Sequence, residues 1–365
     1  MIYMKINLID KAKIIMENPN EKHNYFGWPT VARLKDGTII AGASGYRIAH
    51  ICPFGKGVVS YSYDNGKTYT KPTAVFDTPL DDRDVGFCTF GENGLIATSF
   101  NNTRKLQKDH LTFNGRSAED QEYIKAHLTT ITDEDENTYL GSLFRISYDN
   151  GKTFGDIYKS PVTSPHGPIE TGDGSILWVG NTFGTEDIEA HKINLDGTTE
   201  FVGKIENVTR NGEPVKFYEP YAFCLENGRI ITHIRAEQKD LFSIYQSVSD
   251  DNGKTWSIPT LIMTQKGGAP AHIMKHSSGV LICSYSYRGC APDWDKPPYG
   301  IHLAFSKNNG ETWDYGYEIF KNDMMDLGYP STIELDDGSL LTVFYAHPDK
   351  NSPAVIYQQK WSFEY

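Results

Sequence analysis

Six segments of this 365-residue chain open alternating apolar runs with side chains able to do chemistry. They are Trp28 with Pro29, Arg83 with Asp84, His166 with Gly167, Glu219 with Pro220, His272 after Pro270, and Tyr329 with Pro330. The runs that return after each turn close on Arg47, Arg235, Arg288 and Tyr345. A guanidinium grips a carboxylate through two parallel hydrogen bonds, so a set of arginines points to an acidic or heavily hydroxylated ligand. Histidine titrates near neutrality and serves as acid or base. Packing alone wants apolar residues at such repeated positions, so a ring of Arg, His, Glu and Tyr reads as a site.

The elements that must position these groups are six copies of one hairpin signal. Each is an alternating run, a turn carrying Gly, and a second alternating run, centred near Gly37, Gly94, Gly174, Gly228, Gly279 and Gly338. Asp-Gly and Asn-Gly supply the positive φ that tight turns between twisted strands require. Spacings of about 50 to 80 residues leave room for four strands per copy, the size of a propeller blade. The chain is therefore expected to be all-β, a six-bladed β-propeller forming a single domain over residues 1–365. If the first strands line the axis, the six openings converge on one mouth.

A second repeat is interleaved: SYDNGKTY from Ser62, SYDNGKTF from Ser147, SDDNGKTW from Ser249 and SKNNGETW from Ser306, where Asn308 replaces the Asp. This is the Asp-box motif. Its Asp accepts bonds from the turn's own N–H groups, its Gly takes the left-handed position, and its aromatic packs between sheets. No copy continues to a Glu at the calcium-loop spacing, so Asp64, Asp149 and Asp251 are read as structural. Blade three carries a worn copy near Asp196, and blade two an insertion over about 101–140 that is polar and partly helical in pattern. A loop of that length is expected to overhang the mouth or an oligomer contact.

The formal charge of −12 argues against a nucleic-acid or anionic-membrane surface, and no apolar run is long enough to span a bilayer. Neither a signal peptide nor a metal constellation stands out, so the expectations are a cytoplasmic location, no metal and no cofactor. The five cysteines, Cys52, Cys88, Cys224, Cys283 and Cys290, lack zinc-site spacing and read as reduced core thiols rather than a Cys283–Cys290 pair.

Over nearly its full length the chain resembles the sialidase superfamily, through the Asp boxes, the six hairpins and two local stretches. YEPYAFCLENGRIITHIR is similar to the segment in which a Glu opens an inner strand and a carboxylate-binding Arg closes the next, which maps those roles to Glu219 and Arg235. DLGYPSTIELDDGSLLTVFY is similar to the segment of the tyrosine nucleophile and points to Tyr329. The resemblance implies a glycosidase in which Glu219 draws the phenol proton as Tyr329 attacks the anomeric carbon. Two features depart from it. The Arg of an Arg-Ile-Pro segment is replaced at Gly27-Trp28-Pro29, and the stretch from Gly45 has no acid/base Asp, offering Arg47 and His50 instead.

The expected site is thus Tyr329, Glu219 and His50 as catalytic groups. Arg47, Arg83, Asp84, His166, Arg235, His272 and Arg288 are expected to contact a carbohydrate. Besides His50, proton donation falls to His166, His272, Asp82 or Asp84. A hydrolase taking a terminal, acidic sugar is the leading expectation. A lyase on uronate-containing glycans and a noncatalytic glycan-binding propeller are the alternatives, and homo-oligomers are compatible with all three.

Overall fold

The computed structural model describes residues 4–364 apart from 184, 186, 239, 264–267, 269 and 289–295, with backbone alone at 114. Cys290 lies outside the described residues, while Cys52, Cys88, Cys224 and Cys283 are unpaired thiols.

Six antiparallel sheets follow one another along the chain. Their first strands are Tyr25–Arg33, Arg83–Phe90, the broken pair Val162–Thr163 and Ile169–Glu170, Phe217–Cys224, Ala271–Lys275 and Gly328–Glu334. These first strands contact one another around the ring, and successive strands of each blade step outward. The ring closes because the N-terminal strands Lys5–Leu8 and Lys13–Met16 both pair with the last strand, Val355–Glu364. This is the expected six-bladed propeller. No helix among the described residues is long and apolar enough to cross a membrane.

The core is a set of wedges between neighbouring blades. Val59, Phe76, Val85 and Leu95 fill the first junction, Phe144, Ile146, Ile176 and Trp178 the second, and Phe305, Leu303, Phe344 and Trp361 the fifth. Each fully buried side chain of this kind contributes about 1.5–3 kcal/mol relative to exposure, so every blade depends on both neighbours.

The Asp boxes act as staples between blades. Asp149 accepts from the Ser147 hydroxyl at 2.8 Å, the Thr153 amide at 2.9 Å and the Thr153 hydroxyl at 2.6 Å. Asn150 and Gly151 both take positive φ, the pairing a tight turn of this hand demands. The Gly151 carbonyl then accepts from Tyr61 of blade one at 2.5 Å, as Gly310 does from Gln246 and Gly66 from Gln358. The box aromatics Tyr69, Phe154, Trp256 and Trp313 pack against the inter-blade clusters, as the motif predicts.

One hairpin departs from expectation. In blade two Gly91 takes the left-handed position, and Gly94 begins the second strand instead of forming the turn. The insertion forms three short helices, Arg104–Asp109, Ala118–Leu128 and Asp133–Tyr139. Ile124, Leu128 and Ile131 bury against Leu80, Ile48 and Phe54, which fixes the insertion over blades one and two.

Candidate functional site

The mouth is built by a bulge repeated in the inner strands. Pairing is interrupted around Trp28, Asp84, Glu219 and Tyr329, and all four of these non-glycine residues adopt φ between 43° and 54°. Such conformations cost on the order of 1 kcal/mol or more each and persist only where the surroundings impose them. Proline follows Trp28, Glu219 and Tyr329, excluding the right-handed helical alternative. Bulges re-aim side chains, and this set swings four of them to one end of the axis.

Two of the four meet directly. The Tyr329 phenol donates to Glu219 Oε1 at 2.5 Å, and Arg235 Nη1 donates to Glu219 Oε2 at 2.5 Å. Asn181 fixes the carboxylate's backbone, its Oδ1 accepting from the Glu219 amide at 2.7 Å. The other Arg235 amino group pairs with Glu237. Burial raises the Tyr329 pKa well above its ordinary value and the Glu219 charge adds to this, while Arg235 opposes it. The resting phenol therefore keeps its proton and surrenders it only if Glu219 accepts it.

Asp84 lies in the same electrostatic field. It is buried, its Oδ1 has no hydrogen-bond partner among the described residues, and burial lifts its pKa to about 7 against the pull of Arg83, with Glu219 adding to the rise. A carboxyl group that titrates near neutrality beside a phenol–carboxylate pair suits proton donation. Asp82 is pushed to about 7 as well, but it caps a turn through the Thr78 amide and hydroxyl at 2.7 and 2.8 Å.

Trp28 takes the place where the resemblance expects an arginine. Its ring lies beneath Arg83, whose guanidinium carbon is 3.8 Å from the ring centroid, and Arg47 approaches the same ring at 4.9 Å. Arg83 stays at the mouth, donating to the His50 carbonyl at 3.0 Å. Arg288 donates to the Leu327 carbonyl at 2.9 Å and to the Tyr345 hydroxyl at 3.3 Å.

Three expected contacts are corrected by the geometry. Arg47 is fully buried, with donors directed to both oxygens of Asp81, to Ser44 Oγ and to the carbonyls of Ala49, His50 and Cys52, so it braces the loop behind the mouth. His166 and His272 lie farther along the axis, in a separate cavity of about 290 Å³ that shares no lining residue with the one beside Glu219. They pack edge to face at 5.2 Å, and Tyr221 stacks on His272 at 4.7 Å. Burial lowers both pKa values, that of His272 to about 3, which suits neutral rings in a channel wall.

His50 belongs to a neighbouring cluster whose centre the sequence reading missed. Asp326 accepts from Tyr25 at 2.9 Å and Tyr345 at 2.8 Å, and it lies 3.1 Å from both His50 Nδ1 and His347 Nε2. Burial would raise the Asp326 pKa, yet these bonds hold it well below the usual range. His347 also meets the Ser352 carbonyl at 2.7 Å, so both ring nitrogens face acceptors and its pKa rises despite burial. His50 is driven the other way by burial and is neutral at neutral pH.

Glu219, Arg235 and Glu237 open onto a cavity of about 1450 Å³ between blades three and four, overhung by Asn102 and Leu106 of the blade-two insertion. Glu237 and Asp81 were also missed. Glu237 had a signal, since residues two apart on a strand share a face and it follows Arg235 by two. Among the described residues no three His, Cys, Asp or Glu side chains converge as a metal site requires.

Comparison with curated proteins finds no match. Among solved structures, a protein of unknown function from Dyadobacter fermentans matches 98% of this chain and 99% of its own at 18% identity, with a TM-score of 0.76. The NanB sialidase of Streptococcus pneumoniae matches 97% of this chain and 70% of its own at 12% identity, TM-score 0.67. The intramolecular trans-sialidase of Ruminococcus gnavus matches 96% of both chains at 14% identity, TM-score 0.62. At such identities the likeness is one of fold, and it places the protein among sialidase-type propellers. The pattern of the BNR repeat-like domain matches residues 129–342, more than half of the sequence, and the chain belongs to that family.

Proposed function

We propose that the protein is a glycoside hydrolase of the sialidase type, with Tyr329 as nucleophile, Glu219 as its base and Asp84 as the acid. The observation that carries this is the 2.5 Å hydrogen bond from the Tyr329 phenol to Glu219, joining residues 110 apart, with the second carboxylate oxygen held by Arg235. In the first step Tyr329 Oη bonds to the anomeric carbon while its proton passes to Glu219 Oε1. The bond to the leaving oxygen breaks as Asp84 protonates that oxygen. In the second step the Asp84 carboxylate takes a proton from water, the water oxygen bonds to the anomeric carbon, and the phenol leaves with its proton restored from Glu219. Two displacements at one carbon retain configuration.

Asp84 is preferred over His50 as acid because it holds its proton up to about pH 7, whereas His50 has lost its own by then. The lyase alternative needs a guanidinium to neutralise a uronate, whereas Arg47, Arg83 and Arg235 already lie against protein carboxylates and Arg288 is directed to the Leu327 carbonyl and the Tyr345 hydroxyl. The reading is tested by screening glycosides for reducing-sugar release beside the ultraviolet absorbance of an eliminated, unsaturated product. Sugar release without that absorbance, abolished in Tyr329→Phe and Glu219→Gln, is expected. Absorbance gain identifies a lyase, and binding without turnover a glycan-binding propeller.

A further inference from the structure

The cavity beside Glu219 has a charge pattern opposite to the one an acidic sugar needs. Arg235 is the only arginine among its described lining residues, and both amino groups of its guanidinium are engaged, one by Glu219 and one by Glu237. A two-point grip on an incoming carboxylate uses those same edges. Asp187 is paired with Lys204 at 3.1 Å, which leaves Glu213, Glu219 and Glu237 facing Lys216 and Arg235. The other mouth arginines do not redress this. Arg47 is sealed against Asp81, Arg83 is stacked on Trp28 and directed to the His50 carbonyl and Asp81, Arg288 is directed to the Leu327 carbonyl and the Tyr345 hydroxyl, and none of the three lines the cavity. The amides of Asn102, Asn207 and Gln238 line the same cavity, and amides both donate to and accept from hydroxyls.

Resting on the hydrolase reading above, we propose that Glu237 makes this a site for an uncharged terminal sugar, because its carboxylate occupies the guanidinium edge that an acidic sugar would take. Glu237 is then a specificity-determining residue: it repels a second carboxylate and holds Arg235 in place for Glu219.

The test is calorimetric binding of the methyl glycosides of galactose, glucose, fucose, rhamnose and N-acetylglucosamine against free N-acetylneuraminate and glucuronate. It is run on the full chain and on Glu237→Gln, with hydrolysis of the matching aryl glycosides measured in parallel. At least one neutral sugar is expected to bind about tenfold or more tightly than either acid, and Glu237→Gln to narrow that gap about tenfold by gaining affinity for the acids. Preference for an acid in the wild-type protein, no shift in Glu237→Gln, or no binding by any neutral sugar overturns the proposal. Hydrolysis is scored separately. Neutral preference without turnover upholds the substrate class and counts against the hydrolase reading, whereas turnover confined to an acidic glycoside upholds the hydrolase and overturns the class.

Discussion

In the Asp box of blade two, Asp149 accepts hydrogen bonds from Ser147 and from the amide and hydroxyl of Thr153, and these bonds bring its pKa down to about 2. At the mouth, Asp84 keeps one buried oxygen without a partner among the described residues, and burial lifts its pKa to about 7. Asp149 and Asp84, at opposite ends of the propeller, are thus treated in opposite ways. The box turns lie at the far end, where Asn150 and Asn252 bond to Asp36 and Asp173 in the first hairpin turns of other blades. There the carboxylate completes a turn and stabilises the ring. At the mouth, strained backbone and incomplete hydrogen bonding leave Asp84 able to exchange a proton near neutrality.

The largest effect that would break this comparison is loss of the dyad. Tyr329→Phe and Glu219→Gln should each lower kcat by about 10³-fold or more with the melting temperature little changed, and a variant that keeps its rate would remove Tyr329 from the chemistry. Asp84→Asn should lower kcat/KM by about 10²-fold. On the hydrolase reading, kcat/KM of the wild-type protein should fall above about pH 7, as Asp84 loses its proton, and a profile without that limb would assign the acid elsewhere.

Stability sharpens the contrast at smaller scale. The folded pKa of Asp84 lies above its unfolded value near ~3.9, so its contribution to stability is full below about pH 4 and is lost as pH rises through about 7. Asp84→Asn should therefore raise the melting temperature by about 2–4 °C at pH 8 and leave it nearly unchanged at pH 4. Asp149 has the opposite sign. Its folded pKa is depressed, so its contribution is present above about pH 4 and is lost as pH falls toward about 2. Asp149→Ala should lower the melting temperature by about 2–4 °C at neutral pH without altering kcat of the folded protein.

Much of the far end was legible in the sequence, because its determinants are local. Ser147, Asp149, Gly151 and Thr153 satisfy one another within seven residues, so their order alone specifies the turn. The mouth was legible only where one position repeats. Trp28, Asp84, Glu219 and Tyr329 occupy the same left-handed bulge. His166 precedes the equivalent Gly167 by one residue, and His272 follows Pro270 by two, so both face down the axis despite opening their strands. Arg47 gave no local sign of its fate, because Asp81, which neutralises it, is 34 residues away. Asp326 and Glu237 were hidden for a related reason: the groups they serve come together only when the last blade closes the ring or when one strand face is seen as a unit.

The most direct test of the proposed hydrolase is peptide mapping by mass spectrometry after incubation with the fluorinated glycosyl fluoride of whichever sugar the glycoside screen shows to be released. A glycosyl adduct on the peptide carrying Tyr329, absent in Tyr329→Phe and accumulating more slowly in Glu219→Gln, is the predicted result. Turnover with inverted configuration and no adduct, or an adduct on another side chain, would contradict it.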